Sequence, residues 1–378
     1  MTMSRPCRSL YVHVPFCRSR CGYCDFYSEV IDPGRVAAVV DALVGELADH
    51  AERHELALET IYVGGGTPTV LPVGELERLL GQVRAHAGIA VEFTVEANPA
   101  TVTDEVAAVL ADAGVNRVSM GAQSFVESEL RALERTHRPS DVGESVETCR
   151  RAGIGRVSLD LIFGIPGQTL GSWLRSIEAA LGLRPEHLSC YGLTYEAGTR
   201  LQRQLEEGRV QRVDPDVEAD LYEAVMDTLP PRGWHQYEIS NFARRGAECR
   251  HNLVYWHNEP YVGVGPSAAG FIDEERYKNV SDTAAYVEAI REGRSPRAER
   301  ECLSPERRAC ETAMLELRLG EGIDRKRFAE RYGEDPVVFF SEAINRHGSA
   351  GRLEVDEVGI RLTRAGRLLA NTVMVDFL

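Results

Sequence analysis

Short β-rich runs alternate with longer helical patterns through the first two-thirds of this chain, and this alternation constrains the fold more than any other feature. The run SLYVHV is followed by the helical pattern VAAVVDALVGELADHAERH and then by TIYVG. Further β-rich runs are AVEFTVE, NRVSM, RVSLDLIFG and HLSCYGLT. Consecutive βα units make parallel strands with right-handed crossovers. The pattern therefore predicts an α/β fold, an open or partial parallel barrel of about six βα units that binds ligands at the carboxyl ends of its strands.

Three cysteines follow the first strand with the spacing CxxxCxxC, at Cys17, Cys21 and Cys24, and no fourth cysteine comes close behind. An iron–sulfur cubane normally takes one thiolate per iron, so the triad predicts a cluster with one iron open to a small-molecule ligand. A zinc knuckle is the alternative. Structural zinc takes four protein ligands, however, and the nearby His13 and Asp25 fit no usual finger spacing.

Glycine and polar residues fall where the later strands end. The run at 64–68, GGGTP, follows the second strand, where absent side chains would let the backbone approach a ligand and Thr67 would add a hydroxyl. Glu96 closes the third strand, Gln123 follows the fourth, and Asp160 and the turn GIPGQT end the fifth. Each feature alone is also typical of a plain turn or a helix cap. Together they predict a ligand site at this edge of the sheet.

The cysteine spacing and its flanking aromatic residues, Phe16, Tyr23 and Phe26, resemble the radical S-adenosylmethionine (SAM) superfamily. The resemblance implies a three-quarter barrel, a 4Fe-4S cluster on the three cysteines, and SAM chelating the open iron through its amino and carboxylate groups. Over nearly the whole chain the sequence is similar to the branch that contains oxygen-independent coproporphyrinogen III dehydrogenases and the HemW-type heme chaperones.

The resemblance also implies a set of cofactor contacts, which in the dehydrogenases serve two SAM molecules. Arg135, in LERTHRP, would pair with a carboxylate, although a solvated helical charge is the alternative reading from the residue alone. The residues that match the branch are Tyr11, Tyr23, Gly65, Gly66, Thr67, Glu96, Gln123, Arg135 and Asp160.

Two local features favour the chaperones within this branch. The dehydrogenases carry a further cysteine just beyond the triad and a longer N-terminal segment, whereas Asp25 and Phe26 follow Cys24 here and Tyr11 lies near the start. The second feature is the segment HNLVYW, which resembles the HNxxYW signature of the chaperones, in which the histidine is thought to engage heme. The resemblance therefore implies heme as a third bound group.

The HNxxYW segment also has a physical reading of its own. A neutral imidazole is a standard axial ligand of heme iron, so His251 is the candidate ligand, and Tyr255 and Trp256 offer flat surfaces for a porphyrin. A structural histidine among core aromatic residues is the alternative. A zinc site at Cys249, His251 and His257 is another, but it lacks a fourth ligand and its spacing is irregular.

One position departs from the family pattern. Ala269, in SAAGF, stands where many of the chaperones place a histidine. If that histidine supports heme ligation in relatives, this protein uses another group or holds the macrocycle more weakly.

From about Leu303 onward the βα rhythm ends, with a mixed-charge helical segment first and then RLEVDEVGIRLTRAGRLLANTVMV. Two short strands joined by an acidic turn, with a helix after them, predict a winged-helix-like α+β domain, which the family also carries. We therefore expect a barrel domain with its HNxxYW extension at 1–295 and the C-terminal domain at 296–378. Acidic residues interleave with its arginines and leave no basic stripe, so packing or partner docking is favoured over DNA binding.

Composition excludes several classes of protein. The 378 residues carry a formal net charge of −15, which disfavours a nucleic-acid partner. No apolar run is long enough to span a bilayer, and the N-terminus lacks the apolar core of a secretory signal, so a cytoplasmic location is expected. Four further cysteines lie in apolar, helical or strand-like runs and are expected to be buried thiols without chemistry, at Cys149, Cys190, Cys302 and Cys310.

Three functions fit these features. The favoured one is a carrier that binds the cluster, SAM and heme and delivers heme to apo-hemoproteins, with those of the respiratory chain as candidates. The second is an oxygen-independent coproporphyrinogen III oxidase, in which a deoxyadenosyl radical abstracts hydrogen from a propionate. The third is a radical SAM methyltransferase of the same branch. Whether the chaperone uses radical chemistry, and whether it forms a homodimer, stays open from the sequence.

Overall fold

The computed structural model describes residues 6–378, apart from the side chains of Ile89 and Ala90. The chain forms two compact units. The first holds the described residues up to Val225 together with Pro260–Glu301, and the second holds Met226–Glu259 together with Cys302–Leu378. Among the described helices, none has the length and apolar character that a bilayer-spanning segment requires.

The strands, in chain order, are β1 Cys7–Val14, β2 Phe16–Cys17, β3 Glu29–Val30, β4 Leu56–Gly65, β5 Ala87–Ala97, β6 Arg117–Gln123, β7 Arg156–Phe163, β8 His187–Gly192, β9 His235–Gln236, β10 Asn241–Ala243, β11 Val262–Val264, β12 Ala269–Ile272, β13 Glu275–Asn279, β14 Arg297–Cys302, β15 Ile323–Asp324, β16 Leu353–Val355 and β17 Gly359–Leu362. The helices are α1 Pro33–Arg53, α2 Val73–Arg84, α3 Asp104–Asp112, α4 Glu127–Ala132, α5 Pro139–Arg151, α6 Leu170–Gly182, α7 Arg200–Glu206, α8 Pro215–Thr228, α9 Arg250–Trp256, α10 Thr283–Arg291, α11 Pro305–Glu316, α12 Arg325–Tyr332, α13 Pro336–Phe339, α14 Ser341–Ser349, α15 Arg364–Leu368 and α16 Ala370–Val375.

The first unit is built on a parallel sheet in which the strands run in the order β11-β1-β4-β5-β6-β7-β8. Every pair in this series is parallel. Helices α1 to α6 fill the connections from β1 to β8, as right-handed βα crossovers require. The sheet does not close on itself, and the prediction of a partial parallel α/β barrel is confirmed.

The two faces of this sheet differ in polarity, although strands in parallel sheets are usually apolar on both faces. Successive side chains point to opposite faces. One face is apolar and almost completely buried, and its members are Leu10, Val12, Ile61, Val63, Phe93, Val95, Val118, Met120, Val157, Leu159, Leu161, Leu188 and Cys190. The other face, which we call the polar face, carries Ser9, Tyr11, His13, Thr60, Tyr62, Glu92, Thr94, Glu96, Arg117, Ser119, Ser158, Asp160, His187 and Ser189.

Near the amino ends of the strands, the polar face is closed by side chains that bond to one another. Arg117 and Glu92 form a buried ion pair of 3.0 Å, and each side chain is 1% exposed. Ser158 Oγ and His187 Nδ1 lie 2.5 Å apart. A buried charge is tolerated only when it is paired. The charged and polar side chains at this end are thus paired with one another, and those at the carboxyl ends are the candidates for a ligand.

A buried carboxylate in α1 fixes the strands and the helix that complete the first unit. Glu46 accepts hydrogen bonds from Gly265 N at 2.8 Å, Asn279 Nδ2 at 2.7 Å and Tyr286 Oη at 2.6 Å. Burial raises the pKa of Glu46 to about 7, and the three bonds and the charge of Arg297 oppose that rise. One side chain thus ties α1 to the loop after β11, to β13 and to α10.

The second unit has its own apolar core and a small antiparallel sheet in the order β15-β17-β16. Helix α11 precedes β15, helices α12 to α14 lie between β15 and β16, and β17 follows directly. This order resembles a winged-helix module, which agrees with the predicted C-terminal domain. The core residues include Ala313, Leu317, Ile323, Phe328, Ile360, Val373 and Phe377.

The segment Met226–Glu259, which carries HNxxYW, belongs to the second unit by compactness. Ile239 N donates to Arg318 O at 3.0 Å, and Arg318 forms an ion pair of 3.3 Å with the buried Glu238. The sequence placed this segment with the barrel, so the compact units differ from the expected division at 295/296. As a boundary between functional domains, 295/296 stays a prediction.

Glu46 should give the protein a stability that falls with rising pH. The folded-state pKa lies above the ordinary value of 4.5, so the folded protein holds this proton more tightly than the unfolded chain. The resulting stabilisation is fully present below that ordinary value and is lost as pH rises through about 7. We expect the melting temperature of the wild type to fall more between about pH 5 and 8 than that of Glu46→Gln.

Glu52→Gln, on the exposed side of the same helix, is the matched control and should follow the wild type. Identical pH profiles for the wild type and Glu46→Gln would contradict this assignment.

Candidate functional site

The three cysteines lie in a loop between β2 and β3, residues 17–28, which we call the cluster loop. Cys17 ends β2, and Cys24 N donates to Cys21 O in a turn that brings those two residues close. All three thiols are free and partly exposed. Cys17 Sγ lies 3.6 Å from Thr67 Oγ1, so the hydroxyl after the glycine run meets the first cysteine.

Hydrogen bonds from the rest of the first unit hold the cluster loop near its middle, at Gly22, and near its end, at Tyr27. His13 Nε2 donates to Tyr27 O at 2.9 Å, which fixes the tautomer, so Nδ1 accepts from Tyr11 Oη at 2.9 Å. Burial lowers the pKa of His13 to about 4, so this imidazole is neutral. Leu201 N donates to Gly22 O at 2.9 Å from the side of α7. Both ring nitrogens of His13 are therefore occupied, which does not suit a zinc ligand.

The glycine run is required by close packing on three sides. A Cβ on Gly64 would lie 2.6 Å from the Glu96 carboxyl carbon, and one on Gly66 would lie 2.4 Å from Phe16 O. Gly65 has a φ of +100°, and its Cβ would lie 2.6 Å from the His13 ring. The groups that approach these glycines closely belong to the protein itself, and approach of a ligand to the run stays a prediction. Gly66 N and Thr67 N donate to Val14 O and Phe16 O.

Glu96 and Asp160 are two carboxyls at the carboxyl-end part of the polar face. Glu96 accepts from Tyr62 Oη at 2.7 Å and from Gly65 N at 3.0 Å. Burial raises its pKa to about 7, the bond from Tyr62 opposes the rise, and the Asp160 charge adds to it. Burial also raises the pKa of Asp160 to about 6, against bonds from serines on β6 and β8. Both groups are poised to accept hydrogen bonds from a cationic amine.

Gln123 ends β6 in an irregular turn that neighbouring side chains hold in place. Its φ is +62°, and the pairing with β7 shifts between Gly121 and Gln123. Arg135 Nη2 donates to Gly121 O at 2.6 Å, and His137 Nε2 donates to Ala122 O at 3.1 Å. The segment LERTHRP therefore binds both main-chain carbonyls ahead of Gln123 and fixes the backbone of this turn.

Tyr23 packs from the cluster loop into an apolar cluster beside the turn after β7, which contains Ile162, Ile165, Leu193 and Leu201. Burial raises its pKa. Gln168 in that turn accepts from Gly164 N at 2.7 Å and donates to Glu129 Oε2 at 3.0 Å. Ser124, next to Gln123, donates to the same carboxylate oxygen at 2.6 Å. Glu129 therefore braces the turns after β6 and β7 against each other.

The first unit thus brings together all of the predicted site residues except His251. They are connected through Cys17 to Thr67, through Gly65 to Glu96, and through Arg135 to Cys21 at 3.4 Å. Arg135 Nε is buried without a hydrogen-bond partner within residues 6–378, which is a donor left for a bound group. The three free thiols, the adjacent guanidinium and the paired carboxyls suit a thiolate-bound cluster with a chelating amino acid.

Within residues 6–378, no three His, Cys, Asp or Glu side chains are arranged around a position for a single metal ion. The rival zinc site at Cys249, His251 and His257 is not assembled, because His251 Nε2 lies 2.8 Å from Tyr255 Oη and His257 Nδ1 lies 3.4 Å from Glu316. Among the other cysteines, Cys302 is exposed and Cys310 partly so, which corrects the expectation that both are buried. Cys302 is the last residue of the exposed strand β14, and Cys310 lies on a partly exposed side of α11.

His251 lies in the second unit on the short helix α9 and is 0% exposed. Burial lowers its pKa to about 3, so the imidazole is neutral. Its ring meets Tyr255 edge-on, and the Arg318 guanidinium stacks at 4.5 Å over the half-buried Trp256. A neutral imidazole is the form that ligates heme iron, but Nε2 would first have to leave the Tyr255 hydroxyl.

The sequence reasoning did not identify several residues that shape the site, among them Tyr62, Glu129, His137 and Gln168. Tyr62 was visible in principle, because alternate residues of TIYVG and AVEFTVE are polar in strands otherwise suited to a core. Glu129 and Gln168 gave no local signal. The two residues bond to each other, and they lie 39 positions apart in the chain.

Comparison with known proteins is consistent with this geometry. Residues 11–180 match the Radical SAM superfamily, and residues 303–369 match the HemN C-terminal domain. A curated relative from Bacillus subtilis (strain 168), "Heme chaperone HemW", is 39% identical over 98% of this chain and 99% of its own length. A second, of the same description, from Lactococcus lactis subsp. lactis (strain IL1403) is 37% identical over 98% of this chain and 97% of its own.

Among solved structures, coproporphyrinogen III oxidase (HemN) from Escherichia coli superimposes with a TM-score of 0.87 and covers 100% of this chain and 91% of that one. At 22% identity this likeness shows the fold. The family implies a 4Fe-4S cluster and SAM. The full-length similarity at 39% identity, with the two matched domains, shows that the chain belongs to the HemW family of radical SAM proteins.

Proposed function

We propose that this protein is a heme chaperone of the radical SAM type, which binds a 4Fe-4S cluster, SAM and heme and delivers heme to apo-hemoproteins. The observation that carries the proposal is the full-length similarity to curated heme chaperones. The geometry of the first unit supports it, because the thiols, glycines and carboxyls that such a protein needs lie together at the strand ends.

In this proposal Cys17, Cys21 and Cys24 hold the cluster. When bound, the cluster supplies one electron and one open coordination position. The residues that would line the SAM site are Tyr11, Tyr23, Gly65, Gly66, Thr67, Glu96, Gln123, Arg135 and Asp160. The raised pKa of Glu96, about 7, places a weakly acidic carboxyl where a SAM amino group would gain a hydrogen bond.

Heme binding in this proposal uses His251. A hydrogen bond of 2.8 Å between His251 Nε2 and Tyr255 Oη restrains the imidazole. Coordination of iron would exchange this hydrogen bond for a metal bond, so Tyr255 acts against heme binding until it is displaced. A net hydrogen bond is worth about 1 kcal/mol, which a metal–imidazole bond readily exceeds.

If the protein delivers heme, its partners are apo-hemoproteins, with those of the respiratory chain as candidates. A cytoplasmic location remains a prediction from the sequence, and whether the protein forms a homodimer stays open. Ala269 lies on β12 in the first unit, and it has no side chain with which to ligate heme. His251 is therefore the histidine on which this proposal depends.

Replacement of a cluster cysteine should remove iron and sulfide. We expect Cys21→Ser, purified without oxygen and reconstituted, to lose most of the iron and sulfide that the wild type holds, because a hydroxyl is a poor cluster ligand. Cys302→Ser, at an exposed thiol, is the matched control and should retain both. Zinc in the wild type in place of iron, or full iron content in Cys21→Ser, would contradict the assignment.

Heme titration tests the role of His251. Wild-type protein should shift the Soret band of added heme, and His251→Ala should abolish that shift. Tyr255→Phe should raise heme affinity up to about fivefold, because the hydrogen bond that restrains the imidazole is then absent. Equal spectra and affinities for all three proteins would remove His251 from the site.

Tyr195→Phe is the control for loss of a phenol, since Tyr195 Oη has no hydrogen-bond partner among the described residues. It should bind heme as the wild type does. A gain in affinity in this control equal to that of Tyr255→Phe would show that the effect does not come from freeing His251.

A further inference from the structure

Arg135 is where the cluster loop and the irregular end of β6 meet. Its Nη2 donates to Gly121 O at 2.6 Å, and its Nη1 donates to the Cys21 sulfur at 3.4 Å. The main chain of Arg135 is fixed as well, because Arg135 N donates to Leu130 O at the end of α4. The bonds to Gly121 O and Leu130 O thus fix Arg135, and its guanidinium contacts the sulfur of Cys21, a proposed cluster ligand.

Within the described residues, the charge of Arg135 has no carboxylate partner. Among residues 6–378, none of the carboxylates lies within ion-pair distance of this guanidinium. The ionisable groups that interact with it are the Cys17 and Cys21 thiols, the Tyr23 phenol, the Asp160 carboxyl and the His137 imidazole. A guanidinium out of water needs a negative partner. The thiolates of the cluster loop are the groups placed to provide it.

We propose that Arg135 tunes the reduction potential of the cluster held by Cys17, Cys21 and Cys24, through the N–H bond that its guanidinium donates to the Cys21 sulfur. This inference rests on the proposed function, because it needs the cluster to be present. Arg135 acts through Cys21 and is a positioning and electrostatic residue in this role, in addition to any contact with SAM.

The direction of the effect follows from charge. Reduction by a low-potential donor adds one electron, and so increases the negative charge at the cluster without releasing any group. A fixed cation near a ligand sulfur stabilises that reduced form more than the oxidised form. Hydrogen bonds to cluster sulfurs and the net charge around them are established determinants of potential. Arg135 therefore raises the potential and eases reduction.

The neighbouring residues show why an arginine suits this position. A guanidinium presents several N–H groups in a fixed plane, so one side chain reaches both Gly121 O and Cys21 Sγ. Glu134, the preceding residue, has a φ of +56° and forms an ion pair with Arg200. Its carboxyl carbon would lie 2.9 Å from a Cβ on Gly22, so it packs directly on the cluster loop. The segment thus holds the loop at a set distance from the guanidinium.

The test is the midpoint potential of the reconstituted protein without SAM, from a mediated dithionite titration followed by electron paramagnetic resonance of the reduced cluster. At the wild-type midpoint, Arg135→Gln should show a reduced-to-oxidised ratio about tenfold lower, which is a decrease of ~59 mV for one electron. Arg135→Lys keeps the charge and should fall less. Arg131→Gln removes an exposed cation from α4 and should leave the potential unchanged.

Iron and sulfide analysis accompanies each variant. A wild-type midpoint in Arg135→Gln with full cluster content would overturn the inference, and so would an equal shift in Arg131→Gln. Loss of the cluster from both Arg135 variants would overturn it too, because Arg135 would then serve cluster assembly. A wild-type protein that takes up no iron and sulfide would instead refute the cluster on which the proposed function itself depends.

Discussion

The close packing of the glycine run against β1, β2 and β5 is the constraint on which the rest of the first unit depends. Gly64, Gly65 and Gly66 each leave space that a different neighbour fills, and any Cβ there would come within 2.6 Å of one of those atoms. This packing brings β4 against the start of the loop and places Thr67 beside Cys17. It also lets Glu96 reach Gly65 N from the neighbouring strand. A larger residue in the run would separate the thiols from the carboxyls.

The second constraint is the difference between the two faces of the parallel sheet. The apolar face buries against helices, as the hydrophobic effect requires. The polar face pairs its own groups near the amino ends, as in Arg117 with Glu92, and leaves Glu96 and Asp160 at the carboxyl ends with pKa values raised by burial. Near the amino ends, where no ligand is expected, the charged groups are thus stabilised by each other. At the carboxyl ends, where a ligand is expected, the carboxyls have pKa values near neutral pH and can bind a proton or a cationic group.

The sequence predicted the elements that have a local signal. The strands follow from periodicity, and the cysteine spacing, the glycine run and the strand-end position of Glu96 could be read directly from the chain. The resemblance supplied Tyr11 and Arg135. Contacts between distant residues gave no such signal. Pairing of Arg135 with a carboxylate stays a prediction, and the structure adds contacts of its guanidinium with Gly121 O and with Cys21 Sγ, which lies 114 positions earlier in the chain. The burial of His251 against Tyr255 likewise depends on packing that only the folded chain defines.

The central claim is that the polypeptide leaves one iron of the cluster open for SAM. Mössbauer spectroscopy of protein reconstituted with ⁵⁷Fe, recorded with and without SAM, tests it most directly. The account predicts that a single iron site changes its isomer shift when SAM is added, because the amino and carboxylate groups raise its coordination number. Spectra that do not change with SAM, or a protein donor already bound at that iron, would contradict it.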